Sequence, residues 1–377
     1  VSLNFYLYDT NFAALTLLTR LDLSGSQIEV IPPSVFRIAR LEHLILANCG
    51  LNTIFSEISM LTALKTLDLS QNDFSSIPDT IGDLRCLEFL DVSGCVRLVH
   101  MPETVGRLVS LTRLNISGES QYRAPSSLGN LVNLRYFNGV RTSNTHIMLD
   151  MFLHMRSLEV LKIHTAIVLR LMLYPGSLKK LVLKGCEPLD TIPDVFDAMH
   201  SLEVFHASDS SFETMPNSVF RRKSLRVIVL NNCYRINELP ENWDLPALEK
   251  LKICNSKIRS LSKSIRSMKS LRSIIMIDLF WLESLPDTFA DLHSISKIKI
   301  QNCLIPNLPI SVACAKNLRY LSLHRCWRIS KLPDELQFAR SLRKLYLDGL
   351  LWNSFPEWFF TSFVLLRVLS LDDCLNI

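Results

Sequence analysis

An apolar pattern nine residues long, LxxLxLxxC or LxxLxLxxN, returns along this chain at a nearly fixed interval, and no other feature limits the possible folds so tightly. Clear copies are Leu64-Lys-Thr-Leu67-Asp-Leu69-Ser-Gln-Asn72, Leu87-Glu-Phe-Leu90-Asp-Val92-Ser-Gly-Cys95 and Leu318-Arg-Tyr-Leu321-Ser-Leu323-His-Arg-Cys326. Sixteen starts run from Leu18, Leu41 and Leu64 onward to Leu342 and Leu366. Successive starts lie 23 or 24 residues apart, except Leu158 and Leu178, which are 20 apart.

Within LxxLxL the fourth and sixth residues share one face of a strand, because strand side chains alternate with period two. A single short strand cannot bury that apolar face. Neighbouring repeats must cover it, and a continuous core results. In most units an apolar residue followed by proline comes later in the repeat, as in Ile77-Pro78, Met101-Pro102, Leu239-Pro240 and Leu332-Pro333. Proline fixes φ and donates no hydrogen bond, so it suits the turn into a short return helix. In Pro78-Asp-Thr-Ile81-Gly-Asp-Leu84 the residues Ile81 and Leu84 are spaced to face the core. The pattern predicts an α/β leucine-rich-repeat solenoid, horseshoe-shaped, with a parallel concave sheet and about sixteen repeats of 23–24 residues. Residues 18–377 are expected to form that solenoid and to stop inside its last repeat; residues 1–17 read as the end of a preceding repeat or an N-terminal flank. With no polar capping repeat in view, both end faces are expected to expose core residues. The stretch from Gly139 to Pro175 breaks the pattern and reads as a compressed repeat, or as a kink that reorients the two halves.

Hydrophobic residues make up 48% of the chain, enough for a continuous core, and the net charge of +5 is too small to argue for nucleic acid. No apolar run reaches a membrane-spanning length. The apolar N-terminus lacks the basic segment and cleavage site of a signal peptide. Seven of the ten cysteines (Cys49, Cys95, Cys186, Cys233, Cys303, Cys326 and Cys374) occupy the ninth repeat position, which Asn72 fills once. A small polar group there can bond loop backbone that is otherwise unpaired. The cysteines lie whole repeats apart and form no CxxC pair, so neither a metal site nor a disulfide framework is expected. Thiols used this way suit a reducing, cytoplasmic setting. No HExxH, GxxxxGK[ST] or GxSxG occurs, no cofactor is implied, and no catalytic residue is assigned. Asn115-Ile-Ser117 matches a glycosylation sequon but falls on a strand.

The third, fifth, seventh and eighth repeat positions face the concave solvent side, and the second lies at its edge. Their character changes along the chain. The fifth column begins with Asp22, Asp68 and Asp91, then runs through Lys162, His206, Val229, Lys252, Ile275, Lys299 and Tyr346. The third column adds Lys180, Lys250, Lys297, Tyr320 and Lys344. Lysines in register beside aliphatic and aromatic residues have the composition of a protein interface, and these twelve residues from Lys162 onward are the candidate partner-binding set. Nucleic acid is not expected, since the lysines alternate with Val and Ile rather than with dense arginine.

Repeats such as Leu178-Lys-Lys-Leu181-Val-Leu183-Lys-Gly-Cys186-Glu-Pro-Leu189-Asp-Thr-Ile192-Pro193 resemble the LxxLxLxxCxxLxxLP units of plant intracellular nucleotide-binding leucine-rich-repeat immune receptors. The resemblance covers about residues 18–377. It implies a module that senses a pathogen effector or a guarded host protein, and whose first repeats restrain a neighbouring switch domain of the same chain. The phosphate loop of that switch is absent from this segment. Two other readings stay open: a freestanding intracellular repeat scaffold similar to the plant Ras-group repeat proteins, and the substrate-choosing repeats of a bacterial effector ubiquitin ligase.

Overall fold

The computed structural model describes residues 11–118, 124–140, 152, 154–164, 175–186, 192, 194–351 and 354–374. The chain divides into two compact units, Val1–Leu178 and Lys179–Ile377. Their boundary falls at the 20-residue repeat. Most of the irregular stretch 139–175, and with it the expected compression or kink, lies outside the described residues.

The first unit contributes β1 (Arg20–Asp22), β2 (His43–Ile45), β3 (Thr66–Asp68), β4 (Phe89–Asp91), β5 (Arg113–Asn115), β6 (Tyr136–Gly139) and β7 (Val160–Ile163). The second contributes β8 (Lys180–Lys184), β9 (Val204–Ser208), β10 (Val227–Asn231), β11 (Lys250–Cys254), β12 (Ser273–Ile277), β13 (Lys297–Gln301), β14 (Tyr320–His324), β15 (Lys344–Tyr346) and β16 (Val368–Ser370). In each unit every strand pairs in parallel with the next one in the chain, third position against third and fourth against fourth. This is the expected leucine-rich-repeat solenoid. The first, fourth and sixth positions are sealed: Leu64, Leu67, Leu69, Leu90, Leu318, Leu321 and Leu323 have no accessible surface, and Val92 almost none. β16 departs from this, because its fourth-position Leu369 is 38% exposed and Val364 and Phe360 nearby are more so.

The return segments are short helical turns. Most are 3₁₀ turns, such as Asp79–Asp83, Glu103–Arg107 and Ser126–Asn130. With three residues per turn, the 3₁₀ form puts Ile81 and Leu84 on one side, and both are fully buried. Proline stands immediately before each of these turns. Successive turns approach very closely. A Cβ on Gly106 would lie 2.4 Å from the Ser127 carbonyl oxygen, and one on Gly82 would lie 2.5 Å from that of Thr104.

Each strand ends in the same way. At every described eighth position the backbone is left-handed, from Asn48 (φ 53°), Asp209 (φ 51°) and Asn302 (φ 51°) to Gly25, Gly94, Gly185 and Gly349. Gly, Asn and Asp tolerate this region, and among the described eighth positions only Gln71 and Arg325 occupy it against preference. The N–H of this residue donates to the next repeat, as Asn48 does to the Ser70 carbonyl at 2.9 Å. The ninth side chain then reaches back one repeat. Cys49 Sγ donates to the Leu23 carbonyl at 2.9 Å, Cys95 to Leu69 at 3.2 Å and Cys374 to Leu347 at 3.3 Å. Asn72 does more: its Oδ1 accepts from the Cys49 and Leu51 N–H groups, and its Nδ2 donates to the Leu46 and Leu69 carbonyls.

Beyond the ninth position the repeats differ by one residue. Cys49-Gly-Leu51 has one residue before the next buried leucine, whereas Cys95-Val-Arg-Leu98, Cys233-Tyr-Arg-Ile236 and Cys326-Trp-Arg-Ile329 have two. Leu51, Leu98, Ile236 and Ile329 are all buried regardless. The extra residue is accommodated at an exposed loop tip, where Val96, Tyr234 and Trp327 stand out in solvent.

Three outcomes follow. Leu321→Ala removes a sealed side chain and should cost about 2–5 kcal/mol in denaturant unfolding. Gly106→Ala forces apart two turns whose neighbouring atom is backbone, and should cost about 1–3 kcal/mol by the same measurement. All ten cysteines are free thiols. Burial pushes the thiols of Cys95, Cys186, Cys233 and Cys303 up to about 12, and that of Cys326 up to about 11. Raising the pH from 7 to 9 therefore creates little thiolate at these sites, and the thiolate is the reactive form. A native-state thiol titration should label exposed Cys86 and Cys314 first and leave these five unreacted until denaturant is added. Fast labelling of the five would contradict the assignment.

Candidate functional site

The strand register brings the third and fifth positions into two columns on one face of each unit, and the two units carry different chemistry there. In the first unit the fifth column opens with Asp22, Ile45, Asp68 and Asp91. Each carboxylate accepts from the hydroxyl of the serine two residues on, at 2.7 Å for Ser24 and 2.6 Å for Ser70 and Ser93. The Ser24 hydroxyl and N–H hold the Asp22 carboxyl below its ordinary range. Asn115 continues the column. It donates to Asp91 at 2.8 Å and accepts from Ser117 at 2.8 Å, so the amide of the apparent sequon is engaged within the sheet. In the third column the Arg113 guanidinium lies between two rings, 5.2 Å from the Phe89 centroid and 5.3 Å from that of Tyr136. Lys162, the candidate residue in this unit, places its Nζ 5.1 Å from the Tyr136 centroid. A cation over an aromatic face gains roughly 0.5–1 kcal/mol at such exposed sites.

The second unit aligns the other eleven candidates. Across β8 to β16 the third column reads Lys180, Val204, Val227, Lys250, Ser273, Lys297, Tyr320, Lys344, Val368. The fifth reads Val182, His206, Val229, Lys252, Ile275, Lys299, Ser322, Tyr346, Ser370. Six lysines stand in these two columns and no carboxylate does. Lys250 and Lys344 are exposed; Lys180, Lys252, Lys297, Lys299, His206, Val229, Ile275, Tyr320 and Tyr346 are half-buried by their neighbours. The acids nearest in the pattern, Glu203 and Glu249, sit at the second position, where Arg226 bonds Glu249 at 2.6 Å and lies 4.0 Å from Glu203. Neither forms an ion pair with a lysine of the two columns.

Two local arrangements refine this face. Tyr320 and Tyr346 pack ring to ring, with centroids 5.3 Å apart, and Lys297 Nζ lies 4.7 Å from the Tyr320 centroid. Burial pushes the Tyr320 hydroxyl above its ordinary range. His206 is held below its ordinary range, first by burial and then by the charges of Lys180, Lys252 and Lys184, so it is neutral at pH 7. At the C-terminal end of the columns Asp348 is buried and engaged by His324 Nδ1 at 3.2 Å and by the Ser370 hydroxyl.

Among the described residues no cluster of three or more His, Cys, Asp or Glu could hold a metal ion, and no helix is long and apolar enough to cross a membrane. The eighth position, read from sequence as part of the solvent-facing set, is a turn residue with a structural duty. The twelve candidates omit the aromatic loop tips Tyr234, Phe280, Trp281 and Trp327, all about half exposed. Their signal was the second residue inserted between the ninth position and the next buried aliphatic.

A leucine-rich repeat region profile matches residues 46–182. The chain is 25% identical over 239 residues to the TMV resistance protein N of Nicotiana glutinosa, a match covering 56% of this chain and 19% of that protein. It is 30% identical over 217 residues to a putative disease resistance protein of Arabidopsis thaliana, covering 54% of this chain and 17% of that one. The chain thus spans less than a fifth of the length of these curated relatives. Among solved structures it is similar to a leucine-rich-repeat protein of Leptospira interrogans, with a TM-score of 0.75, 21% identity, 99% of this chain and 88% of that chain covered. It is also similar to the functional domain of InlJ from Listeria monocytogenes, which includes a cysteine ladder (TM-score 0.54, 12% identity, covering 90% and 70%). At those identities the structural matches speak for the fold alone. Repeat pattern and fold make this chain a leucine-rich-repeat solenoid, and over about half of its length it is similar to plant disease resistance proteins.

Proposed function

We propose that this domain is the ligand-sensing and autoinhibitory repeat array of an intracellular disease resistance receptor, and that it acts by binding protein rather than by catalysis. One observation carries the reading: the third and fifth columns of the second unit hold six lysines, an aromatic pair and no carboxylate. A face of one sign raises the local potential and speeds capture of an oppositely charged partner. The bound partner is a pathogen effector or a guarded host protein that docks on Lys180, His206, Val229, Lys250, Lys252, Ile275, Lys297, Lys299, Tyr320, Lys344 and Tyr346. The strand face of the first unit, which sets Asp22, Asp68 and Asp91 against Arg20, Arg113 and Lys162, suits the restraining contact with a switch domain. The length of the curated relatives beyond the matched stretch supports such an attachment. The setting is cytoplasmic, in keeping with ten free cysteines.

Charge and packing have separable kinetic signatures. Reversing four lysines together (Lys250→Glu, Lys252→Glu, Lys297→Glu, Lys299→Glu) should slow association with the receptor's protein partner and flatten its salt dependence. Tyr320→Ala or Tyr346→Ala should instead speed dissociation, each costing roughly 1–2 kcal/mol of binding. None of these side chains is in the core, so unfolding midpoints should be preserved. The measurement is binding kinetics at two salt concentrations; unchanged rates in the folded quadruple variant would place the partner elsewhere.

A further inference from the structure

From β11 to β15 the lysines follow a two-strand alternation. β11 carries Lys250 and Lys252, β13 carries Lys297 and Lys299, and β15 carries Lys344. Between them β12 presents Ser273 and Ile275, and β14 presents Tyr320 and Ser322, in direct register with the lysines on either side. Among the described residues none of these five lysines is in an ion pair. Their charge is available to a ligand, apart from the contact of Lys297 with the Tyr320 ring.

Parallel strands stack about 4.8 Å apart, so the lysine rows recur roughly every 9.6 Å with an uncharged row midway. This spacing discriminates among partner backbones. An extended strand repeats one face about every 6.7 Å and falls out of step. A polyproline helix returns after three residues, about 9.3 Å, but has no residue on the same face at the half-step. An α-helix returns after seven residues, about 10.5 Å, and places a residue on the same face after three, about 4.5 Å along its axis. It alone matches both the full step and the half-step. The mismatch of about 1 Å per period is within the reach of a flexible lysine stem.

We propose that the occupant of this face is an amphipathic α-helix of a partner protein, lying across β11 to β15, with carboxylates seven residues apart and an aliphatic side chain three residues after each. The carboxylates meet the rows at 250/252, 297/299 and 344. The aliphatic residues meet Ile275 and the Tyr320–Tyr346 pair. This rests on the protein-binding reading above and adds the form and register of the ligand.

The test uses the full chain and labelled synthetic peptides in fluorescence anisotropy, with circular dichroism to verify helicity. The first peptide is an alanine-rich helix with Glu at the first and Leu at the fourth place of each of three heptads. The second is helical with the same composition, its Glu and Leu moved to a five-residue period. A third is oligoglutamate, a coil at neutral pH, and the last ligand is a single-stranded RNA of similar length. The heptad peptide should bind at least tenfold more tightly than the other three. Lys297→Glu with Lys299→Glu should weaken it at least tenfold, and so should Lys250→Ala with Lys344→Ala, without shifting the unfolding midpoint. Equal binding of the five-residue-period peptide or of oligoglutamate, still sensitive to the lysine changes, overturns the helix and leaves the protein-binding face standing. Tighter binding of the RNA, or no binding by any ligand, overturns both.

Discussion

The turn that closes each strand determines what the rest of the repeat can do. A left-handed residue at the eighth position directs the chain out of the sheet, and its N–H stays bonded to the next repeat. The ninth side chain then satisfies a carbonyl of the repeat before, as Cys49 does for Leu23 and Cys95 for Leu69. A strand of three to five residues offers few backbone bonds, so its end would otherwise leave buried polar groups unpaired at a cost of about 1–3 kcal/mol each. The thiol is well suited to the position, because it is small and apolar enough to be sealed and still donates one weak bond. Asn72 shows the alternative: a full amide that makes four bonds at 3.0 Å or less and ties its own repeat to the one before.

Once those turns are fixed, the sheet register follows, and with it the functional surface. Because third position pairs with third throughout each unit, residues far apart in sequence become neighbours across a strand spacing. Tyr320 and Tyr346 come into ring contact, and Lys297 reaches over Tyr320, only because the backbone aligns them. The same alignment gathers six lysines into two adjacent columns.

The fold was legible in the sequence to the level of individual side chains. Leu67, Leu69, Leu321 and Leu323 could be placed in the core because period two within the strand and a fixed repeat length leave one consistent assignment. The ladder role of Cys49 and Asn72 was likewise readable from position. Three features were harder to see. The 3₁₀ form of the return turns is shared by turns with glycine, such as Asp79–Asp83, and without it, such as Ser56–Met60, so no local residue type marks it. The left-handed eighth residue was written as a run of Gly, Asn and Asp, yet it was read as surface because polarity alone does not separate a turn from a solvent-facing strand. The membership of the two columns was legible, but not their interactions: the Tyr320–Tyr346 contact and the depressed His206 come from packing between strands.

The place where the repeats differ in length matters for how such a chain can change over generations. The additional residue of Cys233-Tyr-Arg-Ile236 or Cys326-Trp-Arg-Ile329 enters after the ladder side chain and before the next buried aliphatic, at a tip that bears no strand bond. An insertion there alters what is displayed at the rim without sliding any column by one place. A single-residue insertion inside a strand would turn every later side chain of that strand to the opposite face. The architecture therefore separates two kinds of variation. Substitution retunes the ligand-facing columns at constant geometry, and length change remodels the rim at constant register, so that one can proceed without undoing the other.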